Sequence, residues 1–109
     1  MDNRINGLLI DSKNTILDAV QQMDRVNHKL LIVFDQKKYF GLISIGDVQR
    51  AIIAKTSLDN SLTVILRDDF KICLKGASDK NIKEKMLEIR AEFMPIVDET
   101  GELHDVVFW

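Results

Sequence analysis

The chain repeats itself. Sliding it by 63 residues puts Ala19 on Ile82, Met23 on Met86, Val26 on Ile89, Leu30 on Phe93, Val33 on Ile96 and Asp35 on Asp98. Each half then reads strand, helix, strand, hairpin, strand. A repeat constrains the architecture before any single motif does, because each unit must bury the face its twin leaves open. Half of a 109-residue chain is too short to enclose a core alone, and even the whole removes only about 65% of its unfolded surface from water. The expected fold is α/β (α+β), with two βαββ(α) units packed through their sheets in pseudo-twofold symmetry and a cleft between them. Residues 1–57 form the first unit. Residues 58–109 form the second, which stops before its C-terminal helix.

Local patterns agree with this plan. Leu8 to Ile10 is a short apolar run, read as a brief strand, and Asp11 to Asn14 is a polar turn. Thr15 offers a hydroxyl to cap a helix, and Ile16, Ala19, Val20, Met23 and Val26 follow at helical spacing. Leu30 to Phe34 is continuously apolar, which suits a strand buried on both faces. Phe40 to Ile45 is its hairpin partner, and Gly46-Asp47 opens a helix with Val48, Ala51 and Ile52 inward. A short helix is expected from about Asp59. Phe70, Ile72 and Leu74 alternate with Lys71 and Cys73, the period of a half-buried strand. Ser78 or Asp79 caps a helix bearing Ile82, Met86 and Ile89. Strands over Phe93 to Val97 and Leu103 to Trp109 flank the turn Asp98-Glu99-Thr100-Gly101.

Composition removes several functions. Fifteen basic and 17 acidic residues give a formal charge of -2, which lacks the basic footprint of a general nucleic-acid binder. Apolar runs of about five residues are far short of the ~20 that a membrane helix needs. One cysteine, Cys73, cannot build a disulfide or a cysteine metal site. His28 and His104 have no HxxxH or HExxH spacing, so no metal site is expected. Neither a phosphate-binding glycine loop nor a set of nucleophile, base and orienting group occurs, so the chain is not expected to be an enzyme. Asp68-Asp69 reads as a solvated turn. The start, Met1-Asp2-Asn3-Arg4, lacks the apolar core of a signal peptide, and a cytoplasmic location is expected.

The stretch TILDAVQQMDRVNHKLLIVFDQKKYFGLISIGDVQRAI resembles a CBS domain, named after cystathionine β-synthase. The hallmarks are the apolar strand ending at Asp35, the turn, and Gly41-Leu42-Ile43-Ser44-Ile45-Gly46-Asp47 running into a helix. The second half, FMPIVDETGELHDVVFW, resembles a second copy through Pro95-Ile96-Val97-Asp98. Leu8 to Trp109 thus looks like a tandem CBS pair, or Bateman module. LLIDSKNTILDAV, ISIGDVQRAI and SLDNSLTVIL together look like the pair placed ahead of a sugar-phosphate nucleotidyltransferase domain in bacterial surface-polysaccharide enzymes. The apolar ending Val106-Val107-Phe108-Trp109 fits a regulatory piece separated from such an enzyme.

The resemblance implies a sensor of an adenosine-type nucleotide. AMP, ADP, ATP or S-adenosylmethionine would act as effector, with no cofactor required. It also implies a homodimer formed through helix faces around Val48, Ile52 and Ile53, and around Ile82, Met86 and Leu87. Ser44 and Asp47 would hold the ribose, since a carboxylate accepts well from a vicinal diol. The alternative is a helix start, because Ser-x-x-Asp is a capping-box pattern. Lys29 would face the ligand phosphate, or else is a solvated lysine at a strand entrance. Its repeat equivalent is Glu92, which would repel phosphate. Strand segments at Ile10 and Asp11 and at Ile32 and Val33 would wall the adenine. The second half has Asp105 where a glycine is expected and ends before a hydroxyl-x-x-aspartate segment, so one site at most is expected. The rival expectation is a module that binds nothing and serves as a dimerisation or spacer domain.

Overall fold

The computed structural model describes residues 3–66 and 72–109. After a single helical turn, α1 (Asn3–Asn6), the first half runs β1 (Leu9–Asp11), α2 (Ile16–Val26), β2 (Leu30–Asp35), β3 (Lys38–Ser44) and α3 (Ile45–Ile53). A 3-10 turn at Leu62–Ile65 follows. The second half runs β4 (Cys73–Leu74), α4 (Asp79–Ile89), β5 (Phe93–Val97) and β6 (Leu103–Phe108). The described residues form two three-stranded sheets, ordered β1-β2-β3 and β4-β5-β6, each with one parallel and one antiparallel pair.

The sequence repeat is a structural repeat, residue by residue. Ile10 pairs with Val33 and Cys73 with Ile96, both at the 63-residue offset. The Ser12 amide donates to the Phe34 carbonyl as Lys75 donates to Val97. The register of each hairpin slips at the same place, between Val33 and Phe34 and between Ile96 and Val97. Past that point the second hairpin carries one extra residue, so Gly41 corresponds to Asp105 and Ser44 to Phe108.

The helices start and stop for local reasons. Thr15 and Asp18 form a reciprocal capping box at α2, and Ser78 accepts from the Asn81 amide at α4, satisfying donors that a helix start leaves open. Both helices end on a left-handed residue, Asn27 (φ 58) and Arg90 (φ 56). Asparagine takes that conformation readily. For arginine it costs on the order of 1 kcal/mol, which the surrounding fold must offset.

Among the described residues three apolar clusters hold the structure. The first contains Ile10, Ile16, Met23, Leu31, Val33 and Val48, and the third contains Cys73, Ile82, Met86, Met94 and Ile96. Between them Ile5, Leu8 and Ile32 of the first half pack on Phe93 and Val106 of the second. The β2 strand is buried on both faces, since Leu31 and Val33 point into one cluster and Ile32 into another. The hairpins also join: the Tyr39 amide donates to the Gly101 carbonyl at 2.8 Å and Leu103 to Lys37 at 3.2 Å.

Some expectations need correction. Cys73, not Leu74, faces the core; Leu74 is exposed because the two-residue strand holds the phase of Ile10. The helix expected from Asp59 is the later 3-10 turn, capped by Ser61. Leu58, Leu62, Ile65 and Leu66 pack against the first half's cluster, tied there by the Leu17 amide donating to the Leu58 carbonyl. Ile52 is exposed rather than inward. Asp68, Asp69, Phe70 and Lys71 lie outside the described residues.

Candidate functional site

A cavity of about 240 Å³ lies where the two halves meet. The first half contributes Lys29 and Leu30 from the entrance of β2, Leu42 and Ser44 from β3, and Asp47 from α3. The second contributes Ile89 to Phe93, from the end of α4 to the start of β5. The cavity therefore touches the positive end of one helix and the negative end of another.

Ser44 and Asp47 close the α3 N-terminus. The Ser44 amide donates to Asp47 Oδ2 at 2.8 Å, Ser44 Oγ lies 2.9 Å from the same oxygen, and the Asp47 amide donates back to Ser44 Oγ at 3.2 Å. The capping reading of Ser-x-x-Asp is thus realised. Asp47 is the one buried charged residue among those described, and Arg50 Nη2 donates to its Oδ1 at 2.6 Å. The Arg50 side chain is largely exposed. A diol entering the cavity would compete for Asp47 with this movable arm rather than with the fixed cap.

Charge at the cavity is graded. Asp47 is buried, whereas Lys29, Arg90 and Glu92 are exposed. Lys29 and Glu92 hold equivalent positions: the Ile45 amide donates to the Lys29 carbonyl and the Trp109 amide to the Glu92 carbonyl, both at 2.9 Å. Arg90 was not singled out in the sequence. Its equivalent is Asn27, the helix-ending residue of the first half, and that correspondence was the available signal.

The structure brings Lys29, Ser44 and Asp47 together but not the proposed adenine wall. Ile10, Ile32 and Val33 are fully enclosed in the apolar clusters, and Asp11 is half-buried with its Oδ1 accepting from the Lys13 amide. None of the four lines the cavity. The strands turn those side chains into the core, and the apolar lining comes from Leu30, Leu42, Ile89 and Phe93 instead.

The second half builds no matching site within the described residues. Phe108 stands where Ser44 stands in the first; its ring packs on Phe93 at 6.2 Å between centroids, and the Arg4 guanidinium lies 3.5 Å above it. His28 is half-buried at the end of α2, His104 is exposed on β6, and Cys73 is buried. Among the described residues no cluster of His, Cys, Asp or Glu could hold a metal ion, and no helix is long and apolar enough to cross a membrane. One polar atom stands out elsewhere: the Tyr39 hydroxyl is buried without a partner, and burial pushes its pKa up to about 12.

Comparison with known proteins agrees with this geometry. Residues 5–54 match the CBS domain family model. No curated protein sequence matches the chain significantly. Among solved structures, a CBS domain pair/ACT domain protein from Thermotoga maritima aligns with a TM-score of 0.76 at 18% identity, over 92% of this chain and 79% of that one. A CBS domain protein from Pyrobaculum aerophilum, complexed with AMP, aligns at 0.75 and 19% identity, over 93% and 79%. CbpB in complex with c-di-AMP aligns at 0.80 and 14% identity, over 92% and 69%.

Proposed function

Since residues 5–54 are a CBS domain and the whole chain has the fold of a CBS domain pair, we propose that it is a ligand-sensing regulatory module whose inter-repeat cavity binds an adenosine-type nucleotide. One observation carries the reading: Ser44 and Asp47, at a helix start, share a single cavity with the cations Lys29 and Arg90. The Asp47 carboxylate and Ser44 hydroxyl would take the ribose diol, Leu30, Leu42, Ile89 and Phe93 the base, and the two cations a phosphate. Two structural neighbours carry AMP and c-di-AMP, which supports the ligand class.

Regulation needs a ligand that prefers one arrangement of the module over another. The cavity is lined by both repeats, so an occupant that contacts both resists any change in their relative angle. In this reading the repeats divide near residue 57, with 58–66 as a strap, two modules associate through helix faces in the cytoplasm, and the attached enzyme is a sugar-phosphate nucleotidyltransferase.

The test is a thermal-shift and calorimetric titration with AMP, ADP, ATP, S-adenosylmethionine and c-di-AMP. A ligand at 100 times its Kd stabilises the native state by about 2.7 kcal/mol. Asp47→Ala should remove that gain. No shift with any of them at millimolar concentration overturns the reading.

Ile52 and Ile53, about 55% and 80% exposed on α3, favour a second reading. It is a dimerisation or spacer module that binds no ligand. A concentration-dependent dimer with no nucleotide response would establish it.

A further inference from the structure

The geometry points to a cavity that selects by phosphate number, admitting a nucleoside monophosphate and discriminating against the di- and triphosphate, with Glu92 as the residue that sets the limit. This rests on the nucleotide reading above. The cavity has a buried inner end at Asp47, already matched by Arg50, and an exposed end that carries Lys29, Arg90 and Glu92. Among the described residues no ion pair joins these three to one another; the Arg50 guanidinium pairs with Asp47 instead. Two cations and one carboxylate therefore stand at the mouth with their charges uncommitted.

A monophosphate brings a charge of about -1.5 to -2, which two cations can match. Each added phosphate brings about one more negative charge and extends toward solvent, where Glu92 offers only repulsion. The α4 C-terminus, at Ile89 to Ala91, adds its negative dipole end on the same side. Internal symmetry sharpens the point. Position 29 of the first repeat is a lysine and its equivalent in the second is Glu92, so the mouth lacks the second lysine that a like-for-like repeat would supply.

The experiment measures Kd for adenosine, AMP, ADP and ATP at fixed ionic strength without divalent cations, in the wild type, Glu92→Gln, Glu92→Lys and Arg90→Asn. Glu92 uses only its backbone carbonyl within the fold, and asparagine already serves at the position equivalent to Arg90, so all variants keep the framework. The wild type should bind AMP at least about tenfold more tightly than ATP, at separations where charges interact measurably. Glu92→Gln should tighten ATP by roughly 5–10-fold and AMP by less than about twofold, and Glu92→Lys should narrow the ratio further. Arg90→Asn should weaken AMP and leave adenosine unchanged. An ATP-to-AMP ratio near one in the wild type, or one that neither Glu92 variant moves, overturns the selectivity while leaving nucleotide binding intact. Absence of binding by every nucleotide overturns both this inference and the reading beneath it.

Discussion

Gln22 and Lys85 stand 63 residues apart and make the same bond with different chemistry. Gln22 Nε2 donates to the Leu9 carbonyl at 2.7 Å, and Lys85 Nζ donates to the Ile72 carbonyl at 2.7 Å. In each half a polar side chain of the long helix thus secures the backbone at the start of the first strand. The repeat conserves the acceptor's place and leaves the donor's identity free.

That pair yields a stability prediction. Gln22 also donates to the Gly7 carbonyl at 3.0 Å, so Gln22→Ala removes two bonds and Lys85→Met one. Losses of about 1–3 kcal/mol for Gln22→Ala and about 1 kcal/mol for Lys85→Met are expected. Urea unfolding checks both, and equal midpoints for wild type and Gln22→Ala would contradict the account.

Ser44→Ala deletes the acceptor for the Asp47 amide and one donor to its carboxylate. A cost of about 1 kcal/mol is expected from the lost cap. Asp47→Asn keeps an acceptor for the Ser44 amide but loses the Arg50 ion pair. It should cost less than Asp47→Ala in stability while weakening nucleotide binding nearly as much. Paired denaturation and calorimetry would separate the structural part of Asp47 from its part in binding.

Tyr39→Phe removes a buried hydroxyl that has no partner. The substitution should leave stability unchanged or raise it by about 1 kcal/mol, since only a desolvation cost disappears. The phenol has pKa about 12 in the fold against an ordinary value of 10.0. Below pH 10 both folded and unfolded states keep the proton. Above it the unfolded state ionises first, so stability falls between pH 10 and about 12. The fall is on the order of 1–2 kcal/mol once solvent screening is allowed for. Denaturation midpoints across that range should drop for the wild type more than for Tyr39→Phe.

Asp98 organises the second hairpin turn. The Thr100 hydroxyl donates to its Oδ1 at 2.6 Å and the amides of Thr100 and Glu102 at 2.9 and 3.1 Å, and Lys75 adds a positive charge nearby. These contacts, the hydroxyl first, hold its carboxyl below the usual range. A depressed value contributes stability above the unfolded carboxylate pKa and loses it as pH falls through the folded one. Thr100→Val should raise the Asp98 pKa in an NMR titration and narrow its stability gap from wild type at low pH. An unmoved titration curve would show that the hydroxyl is not the principal cause.

Most of the architecture was legible in the chain. The 63-residue repeat, the helix over Ile16–Val26, the twice-buried β2 strand and the Thr15, Ser44 and Ser78 helix starts all follow from periodicity and capping chemistry, which act over a few residues. The phase of β4 was not legible, because Cys73 and Leu74 are both apolar and two residues hold no period.

The cavity was half legible. Its Ser44 and Asp47 belong to one local motif. Arg90, Ile89 and Phe93 join them only because two sheets meet back to back, and no pattern within either half reports which side chains will face each other across that junction. Ile32 went to that same junction, whereas Ile10 and Val33 were covered by the helices of their own half. An apolar strand residue is fixed to a face by its own alternation, but whether that face meets a ligand or another sheet is decided by what packs on it. The amino-acid order therefore settled the repeat and its helix starts, and the packing between the halves settled the pocket.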